Sequence, residues 1–139
     1  MSATATQIAE LRLMVDEPTD DTYDSDALAA YIEDHPILDE RGESPYGWDV
    51  STSPPTKEDN DNWIPTYDLN AAAARIWEHK AAAIAEKYST DTDGRLLHRS
   101  HLYEHYMRQA RHYAARRTLG TITMHVAPRI KASVSWRAN

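Results

Sequence analysis

Apolar positions in this chain recur mainly at helical spacing. Ile8, Leu11 and Val15 predict a helix over residues Thr6 to Val15, and Pro18 stops it because a proline cannot continue a helix. Asp20-Asp21-Thr22-Tyr23-Asp24 follows as a polar connector. Ser25 then suits an N-cap for a helix over Asp26–Asp34, with Leu28, Tyr31 and Ile32 as its apolar stripe and Pro36 as its end. These two elements read as a short helical hairpin.

From His35 to Thr66 neither period persists. The segment holds five of the seven prolines and two of the four glycines, so it reads as a long loop, functional or disordered. Trp48, Trp63 and Ile64 indicate that parts of it are anchored. The strongest helix follows Pro65, with Asp68 as N-cap and Leu69–Tyr88 as its body. That body carries eight Ala, and Leu69, Ala73, Ile76, Trp77, Lys80, Ala83 and Ile84 lie at i, i+3, i+4, i+7 spacing. A turn over Ser89–Gly94 leads to a second strong helix, His101–Leu119, capped by Ser100 and stopped by Gly120. Leu102, Tyr103, Tyr106, Met107, Ala110, Tyr113 and Ala114 share one face of it; His101, Glu104, His105, Arg108, Arg111, His112 and Arg116 share the other. Beyond Gly120, Ile122, Met124 and Val126 alternate with Thr121, Thr123 and His125, a short strand with nothing in this chain to pair with. Pro128 and a basic tail ending Trp136-Arg137-Ala138-Asn139 follow. The expected fold is all-α: a small bundle of four main helices, the last two longest, with a long 35–66 loop and an extended C-terminal arm over 121–139.

Composition complicates that bundle. The 139 residues suit one domain, yet 20 of its 57 hydrophobic residues are Ala, and Leu, Ile, Val and Phe number only 21. Eight Tyr and four Trp compensate in part, since each aromatic buries a large area. Burial against neighbouring subunits is therefore expected to contribute.

Charge is divided along the chain. Residues 1–93 hold 21 of the 22 acids and 6 of the 15 bases, a net of −15; residues 94–139 hold 9 bases and the single acid Glu104, a net of +8. Such a split concerns surfaces and partners rather than fold. It fits self-complementary packing of copies, a basic tail on an acidic partner, or contact with nucleic acid.

The residues offer little to chemistry. With no Cys there is no disulfide, thiolate nucleophile or Cys-based zinc or iron–sulfur site. His101-Leu102-Tyr103-Glu104-His105 matches the H-x-x-E-H zinc pattern, but Glu104 is the last acid of the sequence, so no downstream third carboxylate ligand exists. Asp91-Thr92-Asp93-Gly94 resembles part of a calcium loop, but puts Ser89 and Ser100 where Asp and a bidentate Glu are needed. The expectation is a non-enzymatic protein with no cofactor and no metal. No apolar stretch approaches a membrane span, and Met1-Ser2-Ala3-Thr4 opens no ordinary signal peptide, so the chain is expected to be soluble with no membrane partner.

In their order and spacing, the elements over most of residues 8–120 resemble a known family. The run Thr66 to Glu78, then Asp91–Gly94 with Arg99-Ser100, Tyr103-Glu104, Tyr106-Met107, Ala110, Tyr113 and Arg116-Arg117, is similar to the head-to-tail adaptor (connector, or head-completion) proteins of tailed phages of the siphovirus type. Leu11-Arg12, Glu17-Pro18 and the Tyr23–Asp26 connector are similar as well. The resemblance implies a helical adaptor domain over 1–120 that assembles as a dodecameric ring in the virion neck. That ring would sit between the portal protein and the stopper or tail-completion protein, reached from the host cytoplasm during assembly. The C-terminal segment would embrace the portal, making Arg116, Arg117, Ile122, Met124, Val126, Ile130 and Trp136 the portal-docking candidates. Arg108, Arg111, His112 and Trp77 become candidates for contacts between copies. Asp20, Asp21 and Asp24 are candidates for lining a channel through which phage DNA passes without sticking. The alternative from the residues themselves is a small DNA-binding protein using the basic helix 101–119.

Overall fold

The computed structural model describes residues 2–88 and 96–118. Among these residues there are four helices: α1 (Ala5–Val15), α2 (Ser25–Glu33), α3 (Leu69–Tyr88) and α4 (Leu96–Ala114). Between α2 and α3 lie two strands, β1 (Tyr46–Asp49) and β2 (Thr56–Asp59). The domain is therefore mixed, four helices with a two-stranded antiparallel sheet, and the all-α expectation is corrected. The strand and arm expected after Gly120 lie outside the described residues.

The helices α1, α2 and α3 each start where a side chain can take their free amides. In α1, Thr4 and Gln7 form a reciprocal capping box. Asp24, rather than Ser25, caps α2, its carboxylate accepting the Ala27 N–H at 2.7 Å. Asp68 caps α3, accepting the Ala71 N–H at 3.0 Å. Ser100 lies inside α4, which begins at Leu96 rather than His101. At the end of α1, Asp16 adopts a left-handed conformation, and the last carbonyls turn to α3 for partners. Trp77 donates its indole N–H to the Met14 carbonyl at 3.2 Å, and Lys80 donates to the Val15 carbonyl at 2.6 Å while pairing with Glu17 at 2.6 Å. Arg12 organises the connector that follows, donating to the carbonyls of Glu17, Thr19 and Tyr23 and pairing with Asp20.

The core lies among α1, α2 and α3. Leu11, Val15, Leu28, Ile32 and Ile76 are completely buried, joined by Ala72, Ala73, Trp63 and Tyr67. Among the helices, α4 packs on α3 alone. The two run antiparallel: Trp77 meets Tyr106 at 5.3 Å between ring centroids, and Asp68 meets Thr118 at the open end of the hairpin. Small residues on the facing sides, Ala74, Ala81 and Ala110, are all buried and permit close approach.

The 35–66 segment is an ordered excursion with stapled ends. The His35 carbonyl accepts the Asp68 N–H at 2.9 Å, the Thr66 carbonyl accepts the Ile37 N–H at 3.0 Å, and Pro36 and Tyr67 form a bridge between them. Beyond this neck, Asp39 ties the turn together. Its carboxylate accepts the N–H groups of Arg41 (2.9 Å), Glu43 (2.9 Å) and Ile64 (3.1 Å), with the Arg41 guanidinium at 3.2 Å. Gly42, at φ 80°, provides the left-handed residue that this turn requires. Trp63 buries its ring in the core and donates to the Ile37 carbonyl at 3.0 Å. The outer hairpin pairs Tyr46 with Asp59 and Trp48 with Lys57.

Burial works against a charged Asp39, but the backbone N–H groups and Arg41 outweigh it and hold its carboxyl down at about 2. Its folded value lies below the ordinary 3.8, so its contribution to stability is present above that pH and is lost as pH falls through about 2. The amide resonances of Glu43 and Ile64 should therefore shift together in this acid range, followed by NMR. Asp39→Ala should show the shifted positions at neutral pH. Unchanged resonances in that variant would refute the anchoring role.

Candidate docking surfaces

Two surfaces stand out, and both follow from local sequence. The first is the outer face of α4. Among the described elements α4 packs on α3 alone, and Arg108, Arg111 and His112 are exposed on the side turned away from it. Arg116 and Arg117, just past the helix end, are exposed as well. Among the described residues the salt bridges are made by Arg12, Arg41 and Lys80, so none of these four arginines has an acidic partner. Leu102 and Tyr103 add apolar exposure at the other end of the same helix.

The second surface is the excursion. Leu38, Tyr46, Trp48, Val50 and Ile64 make up five of the eight large hydrophobics left in solvent among the described residues, although they come from a small part of the chain. Where the hairpin leans back toward the helices it leaves a cleft of about 210 Å³. Two carboxylates, Glu33 and Asp59, and the rings of Tyr46, Trp63 and Tyr67 wall it, with Pro36 and Pro45 at the neck. Among the described residues no basic side chain is in its lining, although Lys57 approaches it through the Tyr46 ring. Burial, then the nearby charge of Glu33 and the Tyr46 phenol, push the Tyr67 hydroxyl above the usual tyrosine value. Trp63 and Tyr67 meet edge to face at 5.6 Å, so their rings form a rigid wall. Lys57 sits over the Tyr46 ring, 3.3 Å from its centroid.

The other sequence candidates are scattered. Trp77 is 5 % exposed and spends its ring inside the chain, against Tyr106, His105 and the end of α1, so its bulk is not offered to a second copy. Asp20, Asp21 and Asp24 are all exposed on the α1–α2 connector, but each has a local task. Asp20 pairs with Arg12, Asp21 accepts the Thr19 hydroxyl at 2.7 Å, and Asp24 caps α2. Ile122, Met124, Val126, Ile130 and Trp136 lie outside the described residues. His101, Glu104 and His105 are exposed on α4, and His105 stands edge-on to Trp77 at 6.2 Å. Among the described residues no group of three or more His, Asp or Glu is placed to share a metal ion, and no helix is long and apolar enough to cross a membrane.

Sequence reasoning did not single out His35 or Asp39, and it gave Asp68 only its role as the cap of α3. His35 is half-buried at the neck, and its Nε2 has no hydrogen-bond partner among the described residues. Burial and then the charge of Arg117 push the imidazole below its ordinary value, with Asp34 and Asp68 opposing. Asp68 joins the two ends of the α3–α4 hairpin: one oxygen caps α3, and the other accepts the Thr118 N–H at 2.8 Å. The chain therefore leaves α4 toward the neck of the excursion.

No family model, curated protein or solved structure matches this chain.

Proposed function

We propose that this is an interaction protein that acts by docking rather than by catalysis. Its particular role would be the head-to-tail adaptor of a tailed phage: a structural virion protein forming a ring between the portal and the stopper or tail. DNA would pass through the ring, and the protein would reside in the virion neck after assembling in the host cytoplasm. The observation that carries the proposal is the exposed row of arginines on and just past α4, unpaired among the described residues. It lies on the same basic half of the chain as the residues that follow it. Exposed hydrophobics gathered on the excursion support docking further, since scattered single positions would need no explanation. The resemblance of residues 8–120 to neck adaptors names the assembly.

Light scattering of the purified chain, alone and mixed with its phage's portal ring, tests the proposal. A discrete complex with many copies per portal, lost on deleting residues 121–139, is expected. The same arginine face also suits duplex DNA. No portal complex, together with tight duplex binding that falls steeply with salt, would replace the adaptor by a small DNA-binding protein.

A further inference from the structure

The cleft and the α4 face are chemical complements within one chain. For charge and hydrogen bonding the cleft offers Asp59 and the Glu33 carboxylate, one oxygen of which already accepts the Ala3 N–H at 2.9 Å. For stacking it offers the rings of Trp63 and Tyr67 and the face of Tyr46 not covered by Lys57. The Asp59 carboxylate has no hydrogen-bond or ion-pair partner among the described residues, and the residue stands across the strand pair from Tyr46. An arginine matches such a lining closely. Its aliphatic stem covers apolar surface, its planar head accepts aromatic faces, and its fork binds carboxylates in a bidentate manner. A lysine would meet the charge but not the plane. Arg108 and Arg111 lie one turn apart on α4, exposed and without an acidic partner among the described residues.

From this we infer that the acid–aromatic cleft of one copy receives Arg108 and Arg111 from α4 of the next copy. The occupant is a second copy of this chain. The argument is charge complementarity: a cleft walled by two acids, with Lys57 held against the Tyr46 ring, complements a helix face whose arginines have no acidic partner among the described residues, and the two parts of the sequence carry −15 and +8. The two surfaces are different, so the contact is head to tail, the kind of interface that closes into rings when the rotation permits. The pairing rests on the ring assembly proposed above and specifies which surfaces meet.

A charge exchange in the full-length chain tests it. Asp59→Lys puts a cation in the cleft, and Arg108→Glu with Arg111→Glu puts anions on the helix. Sedimentation velocity of the wild-type chain over rising concentration should show self-association. Each variant alone should associate more weakly, on the order of tenfold or more, because like charges then face each other. Mixed in equal amounts the two variants should assemble again, since every cleft then has an opposite partner. Tyr46→Ala, which leaves charge unchanged, should also weaken assembly by removing a ring of the cleft. These residues are exposed, so helical circular dichroism should be preserved in every variant. A wild-type chain that stays monomeric throughout overturns the pairing, as do variants that assemble like wild type or a mixture that fails to recover. Self-association with this pattern but no portal complex would overturn the adaptor role and leave the pairing standing. A portal complex formed equally by every variant would do the reverse.

Discussion

Ile76→Ala should lower the unfolding free energy by about 2–5 kcal/mol, the range for truncating a fully buried aliphatic side chain. Ile76 is 0 % exposed and belongs to the cluster that includes Leu11, Val15, Leu28 and Ile32, so the deletion opens a cavity where α1, α2 and α3 meet. Small domains hold about 5–15 kcal/mol in total, and this one relies on few large aliphatic residues, so the loss is a large share. Urea denaturation should show a lower midpoint with an unchanged slope. Ile84→Ala, about two turns further along the same helix and only half-buried, should cost clearly less. Equal losses at the two positions would show that the core does not centre on Ile76.

The same packing explains how much of the fold is legible in sequence. Leu69–Tyr88 can be read from local features alone, because the Asp68 cap, the run of Ala and the apolar spacing all act within the segment. Cap positions are harder. Ser25 and Ser100 are both chemically suited to cap, yet Asp24 takes the first role and α4 begins before the second. The hairpin is nearly silent. Its strands Tyr-Gly-Trp-Asp and Thr-Lys-Glu-Asp are exposed on both faces except for Asp49, so no alternation of apolar and polar residues arises. What holds them lies elsewhere: the neck at 35–37 and 66–68, the Asp39 turn and the Trp63 anchor. Contacts between residues some 25 positions apart leave no local periodicity to find.

The candidate surfaces divide in the same way. The basic face of α4 follows from 100° spacing and is legible as a stripe; its exposure depends on α4 packing, among the described elements, on α3 alone. Trp77 illustrates the opposite case. A tryptophan on an Ala-rich helix can serve a neighbouring copy or its own core, and only the position of α1 and α4 decides for the core. The acid–aromatic cleft joins Glu33, Asp59 and Trp63, which come together only when the excursion folds back onto its neck.

Asp68→Ala should be the second most damaging substitution, and its effect should reach past α4. The carboxylate is buried, 5 % exposed, and both oxygens are used. Losing the cap costs about 1–2 kcal/mol. Losing a hydrogen bond to a charged acceptor costs about 1.5–3 kcal/mol, although one side chain makes both contacts and the two losses need not add. Asp68→Asn separates them. Whichever way the amide is turned, one of the two backbone N–H groups meets another donor, so one bond survives and the variant should lie between wild type and Asp68→Ala. Amide hydrogen exchange should show Ala71 and Thr118 both losing protection in the alanine variant and only one of them in the asparagine variant. Full protection of Thr118 in the alanine variant would show that Asp68 does not hold the end of the α3–α4 hairpin. If it does hold it, Asp68→Ala should weaken the portal complex proposed above even though Asp68, being buried, touches no partner itself. Thr118, the last described residue, would lose its anchor, and docking would carry an added entropic cost.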